Sequence, residues 1–304
     1  MSECRNCGSS ELRELGPIGQ VQPFFLKRVF GMEIRLPQSP NALKQRIREI
    51  VSLPIFLFSR ITGQCGYLEM QLCEHCFFIQ TKIPFHDQDL NRLYLDYRSP
   101  AYNAERTRYE PEYANIAGEI GQCQAEVVTR RSALTTFLKK VVQTSPTDTI
   151  LDYGGSDGRF IPDIPGSKFV YEISSMEPIP GVTRVTSEAE LGSYFMVLLA
   201  HVTEHVTHPL KLVTKLGRYV KPGGYLYVET PQEVSDQQRI KLLDGASRLN
   251  LGIHEHINYY CVPAVQCLLE AAGFSVVAIE SGPVDVGWTT SVHIRALGRK
   301  ALVS

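Results

Sequence analysis

Two cysteine pairs, Cys4-x-x-Cys7 and Cys73-x-x-Cys76, carry the plainest chemistry in this sequence. A Cys-x-x-Cys turn aims two sulfurs at one point, and two such turns close a tetrahedral thiolate site around zinc. Four thiolates leave no open coordination position, so the expected ion is structural. A second group begins where the apolar run Thr149-Ile-Leu151 meets Asp152, followed by Gly154, Gly155, Asp157 and Gly158. Glycines there let the backbone turn and approach a bound molecule, while carboxylates take hydroxyl or ammonium groups. The spacing fits neither the G-x-G-x-x-G dinucleotide fingerprint nor a phosphate loop, which would need Lys-Ser/Thr. Glu172 lies where a carboxylate accepts both hydroxyls of a ribose, about 20 residues on. His201 and Glu229 end two later apolar runs, and His254-Glu255-His256 joins imidazoles to an acid. A histidine titrating near neutrality is suited to taking a proton.

Strands alternating with helices must hold these groups. Apolar residues recur at helical spacing from Gln124 to Val142. Strands are expected over 149–152, 168–173, 183–186, 194–200, 225–230, 274–280 and 289–297, with a crossover after the glycine loop. Helices are expected at 208–220 and 263–272. The alternation predicts an α/β fold with a doubly wound, largely parallel sheet, whose ligands sit beyond the strand C-termini. Asp152, the glycine loop, Glu172, His201 and Glu229 should therefore converge on one cleft. Upstream, a capped helix is expected at 39–50, inside an insertion between the cysteine pairs. Residues 90–113 are rich in tyrosine and arginine, including Tyr94, Tyr97, Tyr102, Arg106, Tyr109 and Tyr113. Aromatic faces with hydroxyl tips suit a sugar or a nucleobase, so this stretch reads as a lid or substrate wall; packing between domains explains it equally well. The domains are expected at 1–89, zinc-binding with an insertion, 90–120, a tyrosine-rich linker, and 121–304.

Lys and Arg number 31 against 32 Asp and Glu, a formal net charge of -1 that argues against nucleic acid as a partner. No signal-peptide core opens the chain, and the longest apolar stretch, 53–58, is far too short to span a bilayer. Eight cysteines in such a chain point to thiols or metal in the cytoplasm rather than to disulfides.

The ordered set of motifs resembles a class I S-adenosylmethionine-dependent methyltransferase over about residues 120–298. It rests on Leu151-Asp-Tyr-Gly-Gly-Ser-Asp-Gly158, Glu172, His201-Val-Thr-Glu-His205 and Pro222-Gly-Gly-Tyr-Leu-Tyr-Val-Glu229. The resemblance implies a seven-stranded Rossmann-like sheet ordered 3-2-1-4-5-7-6, with the last strand antiparallel. It also implies cofactor contacts from Asp152, Gly154, Gly155, Asp157, Gly158, Glu172, Ile173 and His201. Met196 departs from the pattern, standing where relatives often carry Asp. With the cysteine pairs, the chain is similar to deoxysugar C-methyltransferases that bear an N-terminal zinc domain, but lacks their further C-terminal domain. In that subgroup the second His of a His-Glu-His segment removes the proton beside a ketone, with the Glu assisting, which implies His256 as base and Glu255 as its aid. Ile253 stands where that subgroup has Tyr. Tyr97, Tyr102, Tyr109, His254 and Tyr259 are the expected acceptor contacts.

The expected activity is methyl transfer to a small, sugar-derived acceptor, on carbon beside a ketone in preference to oxygen. O-methylation, a non-catalytic zinc-supported binding module and an RNA methyltransferase are the competing readings. His201-x-x-Glu204-His205 also matches an inverted zinc-protease motif, but that motif needs a helix, and His201 directly follows an apolar strand.

Overall fold

The computed structural model describes residues 3–32, 67–118, 123–173, 176–244, 249, 251–287 and 289–302. The helix expected at 39–50 and the apolar stretch 53–58 lie outside the described residues.

Seven strands form the larger sheet: β4 (Thr149–Tyr153), β5 (Ser167–Tyr171), β6 (Val182–Val185), β7 (Tyr194–Ala200), β8 (Val220–Pro231), β11 (Phe274–Asp285) and β12 (Thr290–Lys300). Their order is β11-β12-β8-β7-β4-β5-β6. The five from β4 to β8 are parallel, and β12 runs antiparallel to both β8 and β11. This is the arrangement the sequence resemblance implies, an α/β Rossmann-like sheet. Strands such as β7, Tyr-Phe-Met-Val-Leu-Leu-Ala, are almost wholly apolar because helices cover both faces. On one face Val213 and Leu216 of α5 (Pro209–Leu216) and Leu268 and Leu269 of α7 (Val262–Ala271) pack on Leu226 and Val228. On the other, Leu134, Phe137 and Leu138 of α4 (Gln124–Lys139) meet Ile150, Met196 and Leu198. Met196 is fully buried there, so its thioether fills core where relatives place an acid. The crossover from β4 to β5 contains no helix; Pro162 and Pro165 interrupt it, and residues 154–166 run as turns.

A five-stranded sheet, ordered β10-β3-β2-β1-β9, carries the cysteines. It consists of β1 (Leu12–Val21), β2 (Tyr67–Cys73), β3 (Ile79–Thr81), β9 (Leu251–Ile253) and β10 (Asn258–Tyr259). Its edge strands thus come from the C-terminal half of the chain. Three helices cover it: α1 (Pro23–Phe30), α2 (Asp87–Tyr94) and α3 (Pro100–Tyr109). Proline in its first turn and a left-handed Gly31 at its end delimit α1. Phe24 and Phe25 of α1, Leu93 of α2, and Tyr102 and Tyr109 of α3 are among the helix residues buried with Met70, Leu72 and Tyr259. A further helix, α6 (Asp236–Leu243), opens with a capping box between Ser235 and Gln238.

Candidate active site

Parallel strands put the expected cofactor residues on one rim. Asp152 pairs with Val170 and Leu198 in register, so the ends of β4, β5 and β7 are level. After β4 the chain turns through Gly154 at φ 74° and Gly158 at φ 79°. A Cβ on Gly154 would lie 2.8 Å from Val202, and one on Gly155 only 2.1 Å from the Asp152 carboxyl carbon. Glycine is required because the loop folds directly over that carboxylate. Glu172 accepts a hydrogen bond from Ser156 N at 3.0 Å, which ties this strand-end acid to the loop. Asp157 is buried, pairs with Arg159 at 2.5 Å and accepts Ile179 N on its backbone oxygen. Beside Glu172, Ile173 is 81% exposed, an apolar side chain open to cover a flat ring. Burial, then Glu172, Glu229 and Asp157, push the Asp152 carboxyl up to about 7 against the pull of Arg130. A cradle with this excess of carboxylate fits the ammonium and sulfonium charges of S-adenosylmethionine.

The ends of β7 and β8 carry a buried network of charges. His201, in the left-handed region at φ 56°, donates its backbone N–H to Glu229 O. Its ring lies 3.1 Å from Glu204 Oε1 and 3.2 Å from Glu229 Oε1. Glu229 also receives Arg130 Nε at 3.0 Å, Tyr227 OH at 2.5 Å and His293 Nδ1 at 3.3 Å. Burial would raise Glu229, but Arg130, His201 and His293 hold it well below the usual carboxylate range. Burial and Arg130 disfavour the His201 cation, yet bonding to Glu204 and Glu229 raises its pKa. Arg130 and His293 carry no motif. His293 sits on the antiparallel β12 opposite Pro231, which only the sheet topology brings to this rim.

On the acceptor side, residues 203–205 form a single 3-10 turn, so the protease-like motif has no helix to put its histidines on one face. The turn meets the segment between β9 and β10: Ile257 N donates to Glu204 O, and Asn258 Nδ2 donates to Thr203 O and Val206 O. The rings of His205 and His254 each stand 4.8 Å from that of His256. The carboxylate touching His256 is Glu233, whose Oε1 lies 2.6 Å from Nδ1. Glu255, expected to assist His256, instead forms an ion pair with Arg106 and accepts hydrogen bonds from Tyr97 and Tyr102. Burial works against its ionisation, but Arg106 and the neighbouring histidines hold it down at about 2. Burial and the His256 charge lower His205 to about 4 and His254 to about 3. Burial also opposes the His256 cation, but Glu233 foremost, then Glu204 and Glu255, lift it to about 9. Tyr97 and Tyr102 thus reach the site through Glu255, while Tyr94 bonds His205 Nδ1 at 2.8 Å. Tyr109 is buried against Phe24, and Tyr259 OH turns back to His256 O at 3.4 Å.

Cys4, Cys7, Cys73 and Cys76 bring their sulfurs within 4.8 Å of one another, with Cys4 and Cys76 at 3.8 Å and Cys7 and Cys73 at 3.7 Å. A tetrahedron with zinc–sulfur bonds of about 2.3 Å has edges of roughly 3.8 Å. Gly8 and Phe77, each following a pair, take φ of 81° and 63° to close the two knuckles. Packed together, the thiols cannot all ionise unaided: Cys7 and Cys73 are lowered by bonding from their neighbours, and Cys4 and Cys76 raised.

A family model described as a methyltransferase domain matches residues 127–279, just over half of the 304-residue chain. No curated protein matches the sequence. Solved structures similar to it include a Methanosarcina mazei S-adenosylmethionine-dependent methyltransferase, 14% identical over 55% of this chain and 97% of that one, TM-score 0.41. Another is the Burkholderia thailandensis 1,6-didemethyltoxoflavin-N1-methyltransferase with bound 1,6-didemethyltoxoflavin and S-adenosylhomocysteine, at 17% over 74% and 95%, TM-score 0.44. A third is the magnesium protoporphyrin IX methyltransferase of Synechocystis PCC 6803, at 13% over 61% and 87%, TM-score 0.43. From the family match and a glycine loop that overlies its own strand-end acid, the chain belongs to the methyltransferase-domain family and is an S-adenosylmethionine-dependent methyltransferase.

Proposed function

We propose that the enzyme methylates a small, sugar-derived acceptor, on the carbon beside a ketone, with His256 taking the acceptor's proton. The observation that carries this reading is the meeting of two rims: Gly154 of the cofactor loop packs on Val202, and the turn that follows holds His205 against His256. When bound, S-adenosylmethionine supplies an electrophilic methyl group on a positively charged sulfur. Asp152 and the loop from Gly154 to Gly158 would hold its methionine end, Glu172 its ribose hydroxyls, and Ile173 would cover its adenine. The protein's part is then to align the acceptor and accept one proton. Tyr94, Tyr97 and His254 supply hydroxyl and imidazole groups suited to a polyhydroxyl acceptor. O-methylation would use the same residues on a more acidic proton.

In this reading residues 1–89, completed by β9 and β10, form a zinc-binding domain, 90–120 a tyrosine-rich wall and the rest of 121–304 the methyltransferase domain. The zinc is structural, bound by Cys4, Cys7, Cys73 and Cys76. Among the described residues no helix is long and apolar enough to cross a membrane, and thiolate-bound zinc suits a reducing cytoplasm. Incubation with methyl-labelled S-adenosylmethionine and a panel of nucleotide-linked keto-sugars and plain sugars tests the proposal, with NMR locating the label. His256→Ala should abolish labelling while leaving S-adenosylhomocysteine affinity unchanged in calorimetry. Full labelling by that variant removes His256 from the mechanism, and no labelling of any sugar removes the acceptor class.

A further inference from the structure

Glu233 belongs to no motif in the sequence, yet it sits just beyond the C-terminal end of β8, held by the buried Val234. Resting on the role proposed for His256, we propose that Glu233 is the positioning residue of the acceptor base, fixing the proton of His256 on Nδ1 and leaving Nε2 to act.

The bond between Glu233 Oε1 and His256 Nδ1 is 2.6 Å long. A carboxylate only accepts, so the hydrogen lies on Nδ1 and the neutral ring keeps its lone pair on Nε2. Two other carboxylates face His256 and favour its cation, but neither bonds its ring. Glu204, on the 3-10 turn, pairs with His201, and Glu255, on the same loop, pairs with Arg106 of α3. His205 and His254 are held neutral by burial and by the His256 charge. The second oxygen of Glu233, Oε2, is buried without a hydrogen-bond partner among the described residues. Such an atom costs stability, so packing alone gives no reason to keep a carboxylate there. Charge for the neighbouring imidazolium does. In the step itself, the acceptor's C–H or O–H proton moves to Nε2 as the freed electron pair bonds the methyl carbon. The sulfur–carbon bond breaks with its electrons on sulfur, giving S-adenosylhomocysteine. Glu233 neutralises the imidazolium that forms, until water removes the proton.

The test is nitrogen-15 NMR of the zinc-loaded full chain labelled at histidine, with His256 assigned from the signals lost in His256→Gln. Glu233→Gln keeps an acceptor oxygen and removes only the charge. The expected result is a His256 midpoint near 9 in the parent, with the neutral form protonated on Nδ1. In Glu233→Gln the midpoint should fall by one pH unit or more, and Glu233→Asp should retain part of the elevation. With the sugar that the labelling panel identifies, the rise of rate with pH should shift downward alike, while the plateau drops tenfold or more. Identical midpoints in parent and Glu233→Gln, or a neutral ring protonated on Nε2, overturns the proposal. If no sugar is methylated, the function assigned above fails, while the titration still decides the role of Glu233.

Discussion

Replacing Arg106 by methionine keeps the aliphatic stem of the side chain and strips the charge opposite Glu255. The two side chains are only 9% and 12% exposed, so solvent screens them little. Despite burial, the Glu255 carboxyl falls from 4.5 to about 2, held there by Arg106 foremost and then by His205, His254 and His256, a combined stabilisation of about 3 kcal/mol at 1.36 kcal/mol per pKa unit. Removing one partner of a buried pair costs about 3–5 kcal/mol, in agreement. Urea unfolding followed by circular dichroism at pH 7 should thus show Arg106→Met weaker by about 3 kcal/mol, or roughly 5 °C in Tm. The sign of the pH dependence follows. Because the folded pKa is depressed, the contribution is complete above 4.5 and is lost as pH falls toward 2. The deficit of the variant should therefore narrow below pH 4.5, and acid release of any ion held by the four cysteines cancels in the difference. Adding Glu255→Gln to Arg106→Met should recover part of the loss, since of the two carboxylates that Arg106 pairs only Glu110 is then left without its partner. A deficit under about 1 kcal/mol at pH 7, or a double variant no more stable than the single one, would refute this account of the tyrosine wall.

Gly155→Ala places a methyl group 2.1 Å from the Asp152 carboxyl carbon, and S-adenosylhomocysteine affinity should fall by roughly tenfold or more with circular dichroism unchanged. Equal affinity by calorimetry would show that the loop has slack the structure does not suggest. Cys76→Ser should abolish metal uptake, the parent holding about one zinc per chain by mass spectrometry, and a parent free of metal after purification with zinc present would discard the ion.

Long, doubly covered strands were the readable part of this chain. β7 and β8 announce themselves as apolar runs because both faces are buried, and the antiparallel last pair follows from two runs after α7. The helix α6 went unread, although Ser235 and Gln238 spell a capping box. β9 and β10, of three and two residues, are too short to show any alternation. The site divides the same way. Asp152 and Glu172 are legible because a strand end dictates their place, whereas the partner of His256 depends on how β8 meets a distant loop. The family resemblance implied Glu255, but in the structure that carboxylate turns to Arg106.

The segment 254–257 leaves the β9 edge of the cysteine-bearing sheet and enters β10 at the other. Four strand spacings of about 4.8 Å make that gap roughly 19 Å in a flat sheet, whereas five residues of chain reach about 18 Å at most. The sheet must therefore curl toward this strap, which crosses it with His254, Glu255 and His256 on its length. The strap is thus fixed at both ends by strand pairing and along its length by bonds to Glu204, Arg106 and Glu233. Lengthening it by one residue would slacken all three side chains together, and shortening it would tear a strand from one edge.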